Sequence, residues 1–566
     1  MTTQPTEFVP QDLDAQTFEN LEPLYQDLVN RELDSLDALQ QWLSNLCALS
    51  VVVSEHHTKL HIDSSCHTDD EAIEAAMMDY TENVQPKVKQ VFFELQRKFL
   101  NCPHHKELKG DKYDALARSW QAEVGLFRES NIALQRDEVK IENEWSKLSG
   151  ALSVEVDGQE YTLQQAAKFL QDTDRSKREH VWRSIEERRS QDREAIEDIY
   201  DRLCKLRGDM ASNADLPNFR AYQWQRFERF DYSPDDCHHF ADGVEKACVP
   251  VLRTLFQKRA ADLGLDKLRP WDLDVDPLNR PALAPFPSDD TSVMVDGCQR
   301  IFDRLSPELG DLFRSLKPGR NLDLDSRKGK RPGGYHTFLE KTGESFIFMN
   351  AAGLDRDVRT MLHEAGHAFH GMVTRDEPLT FVRHAPMEFC EVASMTMELL
   401  ALPFLDEFYD EADVRRATDQ QFEGIVRVLV WIATIDQFQH WVYTHPQHTQ
   451  ADRTQAWLDI RSRFDTGMID WSGIESSHAN MWQRQIHLFH YPFYYIEYGI
   501  AQLGSLQLWK QSLNDVDEAL TNYMNGLKLG GTRSLARLFE ATNINFDFSI
   551  DTIQPIMSQI QSIVTE

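Results

Sequence analysis

Long apolar runs are missing from this chain of 566 residues: no segment approaches the roughly 18 consecutive apolar residues of a membrane-crossing helix. Paired cysteines are missing too. The eight cysteines, at 47, 66, 102, 204, 237, 248, 298 and 390, include no C-x-x-C pair, which argues against a disulfide framework and a thiolate metal site and suits a reducing compartment. Positive charge is scarce, with 60 Lys and Arg against 92 Asp and Glu. The resulting net charge of -32 repels phosphate backbones and anionic lipid headgroups, which argues against nucleic-acid and membrane partners and favours peptide or small-molecule substrates. The first residues, MTTQPTEFVPQDLDAQ, carry neither a basic start nor an apolar stretch, so the expected location is cytoplasmic. No repeat of solenoid period and no low-complexity tract occurs, which removes repeat folds.

What is present is helical periodicity. Val181, Ile185, Ile196, Ile199, Leu203, Leu206 and Met210 recur at helical spacing and predict one long helix. The stretch LSVEVDGQEYTL (152–163) alternates around Asp157-Gly158, the favoured chemistry of a two-residue hairpin turn. RPWDLDVDPLNRPALAPFPSDD (269–290) carries five prolines and predicts a long loop. The Gly- and Pro-containing segment 327–350 ends in the β-prone run SFIFMN, which predicts a small sheet. The expected class is mainly α, divided into an N-terminal helical lobe with one hairpin (1–185) and a catalytic region (186–566).

Ten residues after SFIFMN comes MLHEAGHAFH (361–370). On a helix, positions four apart lie about 40° from one another, so His363 and His367 can offer imidazole nitrogens to one ion. Glu364 is turned roughly 100° from His363, the placement of a carboxylate that holds a water rather than the metal. Val358, Met361, Leu362, Ala365, Phe369 and Met372 form the opposite, apolar stripe, so the histidines face a cleft or solvent.

A catalytic zinc takes three protein ligands and keeps one position open. The extended pattern H-E-x-x-H-x-x-G-x-x-H needs Gly at 370 and His at 373; His370 and Val373 stand there instead, and that class is excluded. His370 lies too far along the helix to share an ion with the first pair, and reads as structural or as a support to the ligands. The helical segment APMEFCEVASMTMELL (385–400) offers Glu388, Glu391 and Glu398, of which the last two are seven apart and share a face. A carboxylate from this second helix would complete the set.

These residues bring the chain to a known family: it resembles zinc oligopeptidases of the thimet oligopeptidase and oligoendopeptidase F type. The resemblance rests on HEAGHAFH (363–370), FCEVAS (389–394), DRSKREHVW (174–182) and HLFHYPFYYIEYGIAQLG (487–504), which follow in the order of the oligoendopeptidase F branch. It implies one zinc per chain held by His363, His367 and Glu391, with Glu388 the weaker alternative and Glu398 orienting a ligand histidine. It also implies that His487 and Tyr498 stabilise the oxyanion while Tyr494 or Tyr495 lines the site; Tyr491 receives no catalytic role. If Pro492 begins the helix, His487 stands outside it. The fold implied is two helical lobes around a deep channel with the zinc on its floor, and a small sheet beside the histidine helix.

The expected activity is zinc-dependent hydrolysis of internal bonds in short unstructured oligopeptides, with Glu364 as general base. SFIFMN is expected to offer its edge to an extended substrate. Two alternatives stand beside this reading: a zinc carboxypeptidase of related helical fold, and a non-catalytic peptide-binding protein. Cleavage of a C-terminally amidated peptide separates the first, and metal analysis the second.

Overall fold

A computed structural model describes residues 8–565. The chain forms two compact units, each assembled from three separate stretches. Helices dominate both, five short strands make two small sheets, and among the described residues no helix is long and apolar enough to cross a membrane. All eight cysteines are free thiols.

The first unit comprises Met1–Gly125, Leu283–Ala417 and Gly504–Phe546. Its N-terminal stretch is helical: Phe18–Asn30, Leu36–Cys66, Glu71–Asp79, Gln85–Asn101 and Asp111–Leu126. The helix Leu36–Cys66 starts where the Ser35 hydroxyl accepts the Ala38 N–H at 3.2 Å, and buries Leu39, Trp42, Leu43 and Leu46 at helical spacing. Those side chains share a core with Leu95, Phe99 and Trp120, whose last two rings meet edge to face at 5.0 Å. Farther along the same helix the buried Glu55 accepts the N–H groups of Lys341 and Thr342 at 2.8 and 2.7 Å. The N-terminal stretch thereby holds the turn of a sheet nearly three hundred residues away.

That sheet contains β3 (Leu322–Asp325), β4 (Tyr335–Leu339) and β5 (Glu344–Ala351) in the order β3-β5-β4, with β3 parallel and β4 antiparallel to β5. The expected sheet is therefore present, but the expectation for the edge of SFIFMN fails. This run is β5, the central strand, and both of its edges are taken by neighbours. The run Ser345–Met349 is buried without alternation, as befits a strand enclosed on both faces. The edges belong to β3 and β4.

The second unit comprises Leu126–Ala282, Thr418–Leu503 and Asp547–Glu566. Its hairpin, β1 (Ser153–Val156) and β2 (Gln159–Thr162), turns through Asp157 and Gly158 at φ of 54° and 78°, the left-handed pair that a two-residue turn requires. The predicted long helix is instead two, Arg175–Gln191 and Arg193–Asn213, broken at Asp192, where φ and ψ are -102° and 7°. Aspartate competes for backbone hydrogen bonds, and here its carboxylate also pairs with Arg188. Within DRSKREHVW, Asp174 caps the first helix by accepting the Ser176 N–H at 2.9 Å, while Arg175 and Arg178 grip the fully buried Asp272. The proline-rich stretch adds only the short turn Pro270–Asp272 before the next helix begins at Thr291.

Candidate active site

The motif His363–His370 lies on the helix Asp355–Thr374, packed against β4, β5 and the helix Met387–Leu400. One residue permits that approach. A Cβ on Gly366 would lie 2.6 Å from both the Ala393 carbonyl oxygen and the Ser394 Cα, so only glycine lets the two helix backbones come this close. The close approach carries Glu391 to the two histidines. His363 Nε2 and His367 Nε2 stand 3.4 and 3.7 Å from Glu391 Oε2. These separations exceed a good hydrogen bond, yet three donors about 2.0–2.1 Å from one tetrahedral ion lie about 3.3 Å from each other. The donor set, two imidazoles and a carboxylate, is that of a catalytic zinc site, and the residues fit the ion.

The surrounding groups fix each donor. Glu398 Oε1 accepts the His363 Nδ1–H at 2.7 Å, which turns Nε2 toward Glu391 as the nitrogen a metal would take in exchange for a proton. The Ser394 hydroxyl donates to Glu391 Oε2 at 3.0 Å. Burial disfavours the charged form of His363, but Glu391 and Glu398 outweigh it and raise its pKa well above the ordinary value. His367 goes the other way, lowered to about 4 by burial with only partial relief from Glu391. Burial pushes Glu364 up to about 7, against the opposing charge of His363 and assisted by that of Glu391. Glu364 is thus a carboxylate able to exchange a proton near neutrality. His370 is buried 6.0 Å from the Phe389 ring and does not belong to the donor group; neither does Glu388.

The second unit gathers the later residues. His487 lies on the short helix Ile486–His490, and the next helix starts only at Tyr495, so His487 stands outside it. Gln485 sets its tautomer. The Gln485 Oε1 accepts the Trp431 indole N–H at 2.9 Å, which turns the amide NH₂ toward His487 Nδ1 at 2.6 Å and places the ring proton on Nε2. Burial lowers the His487 pKa to about 4, so at neutral pH the ring is an uncharged Nε2–H donor. The rings of Tyr494, Tyr495 and Tyr498 surround it at 6.3, 4.4 and 6.1 Å. Tyr491 is 54% exposed.

Two buried arginines and a buried glutamine hold the backbone of this segment. Arg207 donates to the carbonyls of Leu488 and Phe489, Gln223 to that of Pro492, and Arg229 to that of Phe493. Phe493 itself adopts φ of 68°, a strained left-handed conformation for a non-glycine residue. Cys237, Asp436 and His440 form a second buried group of ligand types. There Arg220 donates to His440 Nδ1 at 3.2 Å, which puts the proton on Nε2, 3.3 Å from Asp436, and removes the lone pair a metal would need.

The chain is similar to known proteins along nearly all of its length. The pattern of peptidase family M3 matches residues 168–555, well over half of the chain. The chain belongs to peptidase family M3. The M3 N-terminal domain matches residues 8–127, the helical stretch whose Glu55 holds the β4–β5 turn. Oligopeptidase PepF of Bacillus subtilis (strain 168) is 26% identical over 296 residues, 50% of this chain and 42% of that protein. Group B oligopeptidase PepB of Streptococcus agalactiae is 22% identical over 330 residues, 57% of this chain and 54% of that protein. The matched regions span about half the length of these curated relatives. Among solved structures, PZ peptidase A with inhibitor 2 is 26% identical with a TM-score of 0.87 and 99% of each chain covered. Oligoendopeptidase-F from Enterococcus faecium, 14% identical with a TM-score of 0.62, covers 97% of this chain and 98% of that one and shares the fold.

Several residues of this M3 site were not singled out from the sequence. His336 on β4 stacks at 6.2 Å on His367, with its Nε2 3.0 Å from the Ser345 hydroxyl. Gly366 and Ser394 lie inside the motifs HEAGHAFH and FCEVAS, though their contact with each other was not read from them, and nothing in the local pattern of Gln485 and Trp431 marks those two.

Proposed function

We propose that the protein is a zinc-dependent endopeptidase that hydrolyses internal bonds of short unstructured oligopeptides. The convergence of His363 Nε2, His367 Nε2 and Glu391 Oε2 within 3.4–3.7 Å carries this reading. A zinc ion held by these three would supply Lewis acidity toward a peptide carbonyl and toward water. Glu364 takes the proton of the attacking water and delivers it to the leaving amine, and its burial beside the donor group places it for both transfers. Glu398 keeps His363 in its ligating tautomer. His487 donates its Nε2–H, and Tyr498 its hydroxyl, to the oxygen that gains charge as the carbonyl is attacked; a neutral imidazole is the form that role requires. Tyr494 and Tyr495 contact the substrate. The oligopeptidase names of the relatives support the substrate class.

Glu364→Gln tests the chemistry. The variant retains zinc and peptide binding and loses turnover by at least about 10²-fold. Substantial hydrolysis by the pure variant removes Glu364 from the base role.

A further inference from the structure

The second unit encloses a cavity of about 600 Å³ whose charge contrasts with the rest of this acidic chain. Four arginines reach it, Arg189, Arg427, Arg461 and Arg484. Two of them are committed elsewhere. Arg189 donates to Glu186 at 2.7 Å, and Arg427 donates to the Leu273 carbonyl at 3.3 Å and to Asp274 at 3.4 Å. The other two are not. Among the described residues Arg461 makes no side-chain hydrogen bond or ion pair, and its Nε is buried without a partner. The carboxylate paired with Arg484 is Glu186, 3.9 Å away and already engaged by Arg189.

These two guanidiniums share one ring, with their carbons 5.7 and 6.0 Å from the Trp431 centroid. Burial pushes Arg461 down to about 10, partly offset by Asp465 and reinforced by Arg484. The Arg484 side chain keeps 40% of its surface accessible and is one of the residues that line the cavity. One guanidinium without a partner and one partly exposed guanidinium thus lie beside the same indole ring, and each offers paired donors that match a carboxylate. The other walls, Leu163, Leu170, Ile185 and Phe464, are apolar. Glu186, Asp274 and Asp465 also reach the cavity and disfavour a doubly charged head such as phosphate.

We propose that this cavity is a binding site for a monocarboxylate with an apolar body, the carboxylate lying between Arg461 and Arg484 beside Trp431 and the body against the apolar wall. The volume lies within the usual range for small-molecule sites, about 300–1,000 Å³. The site goes beyond the peptidase reading and does not depend on the metal donors. Two sources share its chemistry: a free aryl- or alkyl-carboxylic acid, and the C-terminal carboxylate of a peptide.

The test uses the full chain and follows tryptophan fluorescence and calorimetry with 4-phenylbutyrate and its uncharged amide. The carboxylate binds saturably and the amide at least about tenfold more weakly, the expected loss of a charge-assisted contact. Arg461→Gln and Arg484→Gln each weaken the carboxylate at least about tenfold, with circular dichroism and melting temperature as controls on folding, and the double variant abolishes binding. A short peptide with a free C-terminus, assayed in Glu364→Gln to prevent turnover, displaces 4-phenylbutyrate if peptides are the source, whereas its C-terminal amide does not. Failure to displace assigns the site to free acids. Absence of saturable carboxylate binding, equal binding of the amide, or binding unchanged in both folded arginine variants overturns the proposal. Loss of peptidase activity alone moves none of these readouts.

Discussion

Gly366 lies directly against Ser394 across two helices, and a Cβ at that position would come within 2.6 Å of the Ser394 Cα. The donor separations at Glu391 depend on this contact. Alanine favours a helix by about 1 kcal/mol over glycine in isolation, so local propensity alone would make Gly366→Ala stabilising. The obstacle is backbone rather than a movable side chain, so the helices must separate. We expect Gly366→Ala to weaken zinc binding at least about tenfold while helix content stays constant, the scale of loss when a metal site's supporting shell is disturbed. Metal titration with circular dichroism on the same samples checks it, and unchanged affinity would show that the helix approach does not position Glu391.

Gln485 fixes His487 as an Nε2–H donor through a chain that starts at the Trp431 indole. Gln485→Leu removes the donor to Nδ1 and leaves the tautomer unconstrained. The expected result is a fall in kcat of about tenfold with zinc content unchanged, a fraction of the 10²- to 10³-fold cost of deleting an oxyanion donor outright. Full kcat in a zinc-replete Gln485→Leu enzyme would detach this amide from the chemistry.

Asp272 accepts hydrogen bonds from Arg175, Arg178 and the Arg269 N–H and is fully buried. Burial alone would raise its pKa, but the two arginines and the backbone donor lower it below the usual carboxylate range. A carboxyl depressed in the folded state binds fewer protons there than when unfolded, so its contribution is complete above the unfolded value of about 4 and is lost as pH falls toward the folded one. Asp272→Asn is expected to cost roughly 3–5 kcal/mol at pH 7, the range for breaking a buried pair, and proportionally less below about pH 4. Urea unfolding at both pH values measures this, and a deficit that grows on acidification would reverse the assigned sign.

Spacing shows the histidine pair and a choice among Glu388, Glu391 and Glu398, while the selection of Glu391 rests on the family resemblance. Two histidines four apart must share a helix face, and an acidic residue on a second helix completes a recognised donor set. The hairpin is equally legible, because Asp157-Gly158 supplies the two left-handed residues that its turn demands. What escapes the sequence is long-range or single-residue. The break at Asp192 is hidden because Ile185 and Ile196, eleven apart, stay in helical phase across it. The central position of β5 depends on which strands flank it, and a strand's own residues do not record its partners. Glu55 is an unremarkable acid in a long helix until the fold brings the β4–β5 turn to it. His336 has no local partner pattern, and only the sheet register places it beside His367.

The central claim is that His363, His367 and Glu391 jointly hold one divalent ion. Zinc quantified by mass spectrometry in the purified protein and in Glu391→Ala, both dialysed against trace metal, tests it most directly. The account predicts close to one equivalent of zinc in the parent chain, removable by a chelator, and almost none in a folded Glu391→Ala. Full zinc retention by that variant, or no zinc in the parent, would contradict it.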